Sequence, residues 1–148
     1  MAENAQSLLL NNVSVQLSDS TAHSPAGTTS TVLVMAGYGQ TFTPSKTGRV
    51  LVILLANVNN NTAGDGVQAV LSYGTGAAPA ANAALTGTQV GGTAKETSAA
   101  ASASNEVALA VVLTGLTVGT TYWLDVAYSA VTGGTATISI IYGLVLEF

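Results

Sequence analysis

The sequence predicts an all-β fold, a single-domain antiparallel sandwich or barrel of about eight strands, and three observations carry the prediction. Apolar side chains recur at every second position in segment after segment, as in Val67, Ala69, Leu71 and Tyr73, or Val107, Leu109, Val111 and Leu113. A strand with one face on a core has that period. Clusters of Gly, Asn, Ser, Thr and Pro separate the segments at the spacing of strand connections. Nothing reads as a helix, and no unit of about 20 to 50 residues repeats, which sets aside solenoids and propellers. A chain of 148 residues makes one domain and buries roughly two thirds of the surface it exposes when unfolded.

Met1 to Asn12 is polar apart from Leu8-Leu9-Leu10 and is read as an N-terminal arm ahead of a domain spanning 13–148. Such an arm either orders against a neighbour or frays. Val13, Val15 and Leu17 alternate with Ser14 and Gln16 as a short first strand. Ser18 to Ser30 reads as a loop in which the single histidine, His23, is solvated. Thr31 to Ala36 is the second strand, broken at Gly37-Tyr38-Gly39, and Pro44 and Gly48 place a bend before the most apolar run of the chain. In that run Val50, Val52, Leu54 and Val58 share one face, and Leu51, Ile53 and Leu55 share the other. A sandwich strand needs only one buried face, so the second is expected to be covered by another subunit or by a loop.

Asp65-Gly66 closes a turn rich in asparagine and leads into the strand of Val67 to Tyr73. Gly74 to Ala103 reads as a long low-complexity, partner-facing loop with one short strand near Thr88 to Val90, because Gly, Pro, Thr and Ser interrupt its alanines. Val107 to Leu113 then enters the corner LTGLTVGTTYWLDVAYS, where Tyr122 follows Gly119 by three residues. A tyrosine so placed stands its ring on the core and returns its hydroxyl to the corner backbone. Trp123 and Asp125 fall on the opposite phase. Trp123 is expected to be an interface anchor or a ligand platform, and Asp125 an outward carboxylate that keeps the sheet soluble. The last strand runs from Ala136 to Phe148 with a bend expected at Gly143.

Only 7% of residues are charged, against roughly 25% in an ordinary soluble domain, while 48% are hydrophobic. A surface with so little charge is expected to be covered by other subunits, the alternative being a rigid secreted β-domain whose hydroxyl-rich surface is adequate without charge. Three basic residues and a net charge of −4 argue against nucleic acid, which needs clustered Lys and Arg. The longest apolar run, Val50 to Ala56, falls far short of the ~20 residues of a membrane helix, and no export signal is read at the start. With no Cys, one His and scattered carboxylates, neither an enzyme, a metal site nor a cofactor is expected.

Two resemblances add to this reading. The corner residues Leu116, Gly119, Thr120 and Tyr122 resemble the entry to strand F of fibronectin type III domains. The segment TFTPSKTGRVLVIL, with Phe42, Pro44, Gly48, Val50 and Val52, resembles a strand of the trimeric C1q and TNF-like jelly rolls, whose last strand also ends in the core. That likeness implies a jelly-roll sandwich and a homotrimer. In its Ala/Gly/Thr/Ser bias and low charge the chain is similar to small structural proteins of tailed bacteriophages. This implies a virion protein made in the host cytoplasm, a decoration or cement protein bound to the major capsid or another virion protein. The alternative is a receptor- or carbohydrate-binding fibre knob using Trp123 and loop residues. In the virion reading the apolar face of Leu51, Ile53 and Leu55 is expected to be buried between protomers, while the Met1 to Asn12 arm or the Gly74 to Ala103 loop laces onto a shell protein.

Overall fold

The computed structural model describes residues 13–23 and 25–148, so the expected arm at 1–12 lies outside the described residues. Nine strands follow in order: β1 (Ser14–His23), β2 (Val34–Met35), β3 (Gln40–Phe42), β4 (Val50–Asn60), β5 (Gly66–Thr75), β6 (Thr88–Thr97), β7 (Asn105–Leu113), β8 (Tyr122–Ala130) and β9 (Ala136–Glu147). They form two antiparallel sheets. The first has the order β1-β9-β4-β7; the second has β2-β8-β5-β6, with β3 also pairing β8. If β2 and β3 count as one interrupted strand, this is an eight-stranded jelly roll in two four-stranded sheets. The sandwich type anticipated from the segment around Phe42 and Pro44 is therefore the one observed.

The core lies between the sheets. Val50, Val52, Leu54 and Val58 of β4 are at most 1% exposed and meet Leu71, Leu124, Val126 and Tyr128 from the second sheet. The expected corner is present: the Thr117 N–H donates to the Tyr122 hydroxyl at 2.9 Å, and the Tyr122 ring stacks on Phe42. Gly119 takes φ = 80° there, and its N–H donates to the Pro44 carbonyl at 2.8 Å, tying the corner to the segment before β4. Tyr122→Phe leaves the Thr117 N–H without its partner. It is expected to cost about 1 kcal/mol, a fall of roughly 3 °C in Tm. A thermal melt unchanged from the parent would remove the corner bond from the account.

Three expectations about elements need correction. The stretch 74–103 is not one loop: a full strand, β6, runs along β5 from Thr88 to Thr97, with connections on either side. The stretch 18–30 is likewise partly strand, and His23 ends β1 with Nε2 at 2.8 Å from Asp19 Oδ2. The irregularity in β9 sits at Ile140 rather than Gly143. Ile140 has φ = 52°, and the pairing jumps from Leu55↔Tyr142 to Asn57↔Ser139. A bulge of one extra residue reverses which side chains face inward. Before it Ile138 points into the core; after it Ile141, Gly143 and Val145 do, and Tyr142, Leu144 and Leu146 turn outward. Gly143 is needed for another reason, since the Tyr38 hydroxyl occupies the place its side chain would take.

Candidate interaction surface

The two outer faces of the sandwich are treated differently by the chain itself. On the second sheet, residues 76–87 fold back over β8 and β5. The Met35 N–H donates to the Ala83 carbonyl (2.9 Å), the Asn82 N–H to the Met35 carbonyl (2.8 Å) and the Ser72 hydroxyl to the Thr86 carbonyl (2.7 Å). Beneath this cover Met35, Val70, Trp123 and Ala127 form a second small core.

Trp123 is therefore 3% exposed and cannot serve as an anchor or platform on this surface. Its indole N–H donates to the Thr75 carbonyl at 3.2 Å. The ring lies so close to Gly74 and Gly87 that a side chain on either would collide with it. Asp125 also departs from expectation. It is fully buried and accepts the N–H groups of Gly37 and Tyr38, each at 3.0 Å, and of Val126 at 2.7 Å. The Gly37-Tyr38-Gly39 break, with both glycines at positive φ, is the turn that wraps this carboxylate.

Burial pushes the Asp125 carboxyl up to about 6 from an ordinary 3.8, against the opposing pull of the Tyr38, Val126 and Gly37 amides. A carboxyl raised on folding subtracts from stability at neutral pH, and the deficit disappears as pH falls from about 6 towards 4. Urea unfolding at a fixed protein concentration is expected to show stability rising by about 2 kcal/mol between pH 7 and pH 4.5. In Asp125→Asn that rise should vanish.

The first sheet has no such cover among the described residues. Its outer side chains fall into three cross-strand rows: Val15-Leu146-Leu51-Val112, Ser18-Leu144-Ile53-Ala110 and Tyr142-Leu55-Ala108. No charged residue stands in any of them, and Ser18 is the one polar member. Val15 is 62% exposed, Leu55 49%, Val112 45% and Tyr142 37%, while Leu51 and Ile53 are half-buried by their neighbours alone. At ordinary strand spacing and rise the rows cover about 400 Å², within the roughly 300–600 Å² of the largest apolar patch on a monomer, a patch that is often functional.

Leu51, Ile53 and Leu55 thus lie together at the centre of this face, while Trp123 is on the far sheet. Sequence reasoning missed Tyr142, Leu144 and Leu146. The signal was available, because β9 is apolar on both phases from Ile140 to Leu146, as β4 is from Val50 to Leu55.

One end of the face is locked by Glu147. Its buried carboxylate accepts the N–H groups of Ser45 (2.8 Å), Lys46 (2.8 Å), Thr47 (2.7 Å) and Gly48 (3.1 Å), and the Gln16 side-chain amide at 2.8 Å. Burial favours the neutral form, but the four amides outweigh it and hold the group down to about 2.

No family model matches the chain, and no curated protein matches it. Among solved structures the chain is similar to one described as the structure of infectious bursal disease virus Gx strain, at 11% identity and a TM-score of 0.42. The match covers 90% of this chain and 32% of that chain, so this chain spans about a third of its length.

Proposed function

We propose that this chain is a virion structural protein, a decoration or cement protein of a bacteriophage shell, that works by adhesion and carries out no catalysis. The observation that carries the reading is the contrast between the two outer faces. The chain covers one apolar face with its own residues 76–87, while among the described residues nothing covers the other, centred on Leu51, Ile53 and Leu55. A protein with 7% charged residues has little else to keep such faces apart, so the bare face is buried against copies of itself and against a shell protein.

The homotrimer implied by the C1q and TNF-like resemblance is one closed form in which each copy would hide this face. Many weak contacts repeated over a lattice add by multivalency, so a face of this size suffices to hold a shell together. Jelly rolls serve as capsid and as lectin domains alike, and the fold alone does not choose between them. The carbohydrate-binding alternative relied on Trp123 and loop residues, and of these Trp123 is buried.

An antibody to the purified protein, applied to density-gradient fractions of particles from the cells that produce it, tests the proposal. The protein should band with the shell in a fixed ratio to the major shell protein. Recovery only in the particle-free fractions would overturn the virion role.

A further inference from the structure

Among the strand edges of the two sheets, the outer edge of β7 is the one left unguarded. β1 is interrupted by register shifts between Val15 and Leu17 and between Asp19 and His23, and β2 and β3 are only two and three residues long. β6 bulges at Gly91-Gly92 and carries Lys95 and Glu96. Bulges, shortness and charge are the means by which proteins stop an edge from pairing. β7 pairs with β4 over nine residues without a shift, holds neither Pro nor Lys, and has its one charged residue, Glu106, near one end.

The Phe148 N–H donates to the Arg49 carbonyl (3.2 Å), so the odd-numbered residues at this end of β4 turn their backbone groups to β9. Val50, Val52, Leu54 and Ala56 then turn theirs to β7, where they bond Leu113, Val111, Leu109 and Val107. The N–H and C=O groups of Glu106, Ala108, Ala110 and Val112 therefore point off the sheet, and among the described residues none of them has a backbone partner. β6, the neighbouring edge in the other sheet, steps aside. Its residues Gly91, Gly92 and Thr93 stand opposite the single Val70, and a cleft of about 260 Å³ opens beside them along Ala108 to Val111.

We infer that β7 pairs antiparallel with the β7 of a second copy about a two-fold axis at Leu109, joining two four-stranded sheets into one of eight. The inference rests on the reading that copies associate, and adds an edge contact to the face contact. In this register Glu106 lies opposite Val112 of the partner subunit, and Ala108 opposite Ala110 of the partner subunit. All four free N–H groups and all four free C=O groups of each copy are used. Small side chains meet at the centre of the outer face, and the two Glu106 carboxylates stay about 20 Å apart.

The chain's own residues 1–12, which lie outside the described residues, suit this edge poorly. Ser14, Glu147, Val50 and Leu113 stand in one row across the sheet, so the place beside β7 is about 19 Å from Ser14. Val13 back to Leu8 would be needed to reach it. Met1 to Ser7 would then lie alongside, with Glu3, Asn4 and Gln6 among them and no β-branched or aromatic side chain. They would run parallel to β7, a weaker pairing than the antiparallel one.

The chain has no Cys, so introduced cysteines report cleanly. Full-length Ala108→Cys and Ala110→Cys chains with different tags are co-expressed, oxidised mildly and run on a non-reducing gel. Directly opposite residues that share hydrogen bonds are about 5.5 Å apart, within disulfide reach. Mixed disulfide should therefore exceed either self-disulfide at least tenfold. Ala110→Pro is a check without cysteines: the N–H it removes bonds nothing in the single chain, so circular dichroism should be unchanged while self-association weakens at least tenfold. Mixed disulfide at chance abundance, with the chain still oligomeric, would overturn the inference and leave the proposed function standing; residues 1–7 or an extended peptide of another protein on the edge would give that result. A folded Ala110→Pro chain that associates like the parent would also overturn it. A chain that is monomeric throughout overturns both.

Discussion

Leu55→Glu is expected to leave the chain folded and to weaken its self-association at least a hundredfold, or about 3 kcal/mol. Leu55 stands on the inner strand β4 in the last of the three apolar rows and is 49% exposed in the single chain. A carboxylate there is solvated in the separate subunit, and its cost to the fold stays near the ordinary surface range of about 0.5 kcal/mol. In the assembly the same carboxylate enters a contact whose three rows hold no charge to pair with it. An unpaired buried charge costs several kcal/mol. The neighbouring Leu54→Glu reverses the pattern. Leu54 is 1% exposed and packs in the core, so that variant should fail to fold. Size-exclusion chromatography with circular dichroism separates the two outcomes. A Leu55→Glu protein that elutes with the parent would show that this face is not the contact.

Glu147→Ala is expected to produce the largest loss of stability among single changes outside the apolar core, about 3 kcal/mol or more. The carboxylate gathers the amides of Ser45, Lys46, Thr47 and Gly48 into one cradle, and its removal leaves all four without their acceptor. The turn they belong to also holds the corner, because the Leu116 N–H donates to the Gly48 carbonyl at 3.0 Å.

The pH dependence has the opposite sign to that of Asp125. Glu147 is lowered on folding, from an ordinary 4.5 to about 2, so its contribution is complete above pH 4.5 and is lost as pH falls through 2. The two carboxylates together place the stability maximum of the parent near pH 4 to 5, below neutrality. In Glu147→Ala the decline below pH 4.5 should flatten. A Tm within about 1 °C of the parent at pH 7 would contradict the cradle's role.

The sequence made the layered fold legible wherever a strand had one inward face. Alternation located β4, β5, β7 and β8 to within a few residues, and the spacing of Gly119 and Tyr122 located the corner. It failed where pairing, not side-chain chemistry, defines a strand. β6 carries mostly exposed Thr, Gly, Ala and charged residues, and only its ladder with β5 makes it a strand.

The phase reversal in β9 was hidden for a similar reason. The left-handed residue is Ile140, a β-branched side chain that gives no turn signal, while the visible Gly143 is small to clear Tyr38. Trp123 and Asp125 were read as outward because they are outward of their own sheet. What covers them comes from 76–87 and from the turn at 37–39, dozens of residues away in the chain. The candidate surface was half legible: Leu51, Ile53 and Leu55 followed from alternation, and their partners on β9 required the bulge.

The most direct measurement is the molar mass of the unaltered protein by light scattering across a dilution series. Burial of the bare face between copies predicts a whole-number multiple of 14.7 kDa at micromolar concentration. A mass of 14.7 kDa that persists at every concentration up to about 100 µM, far above the Kd range of stable complexes, would contradict it.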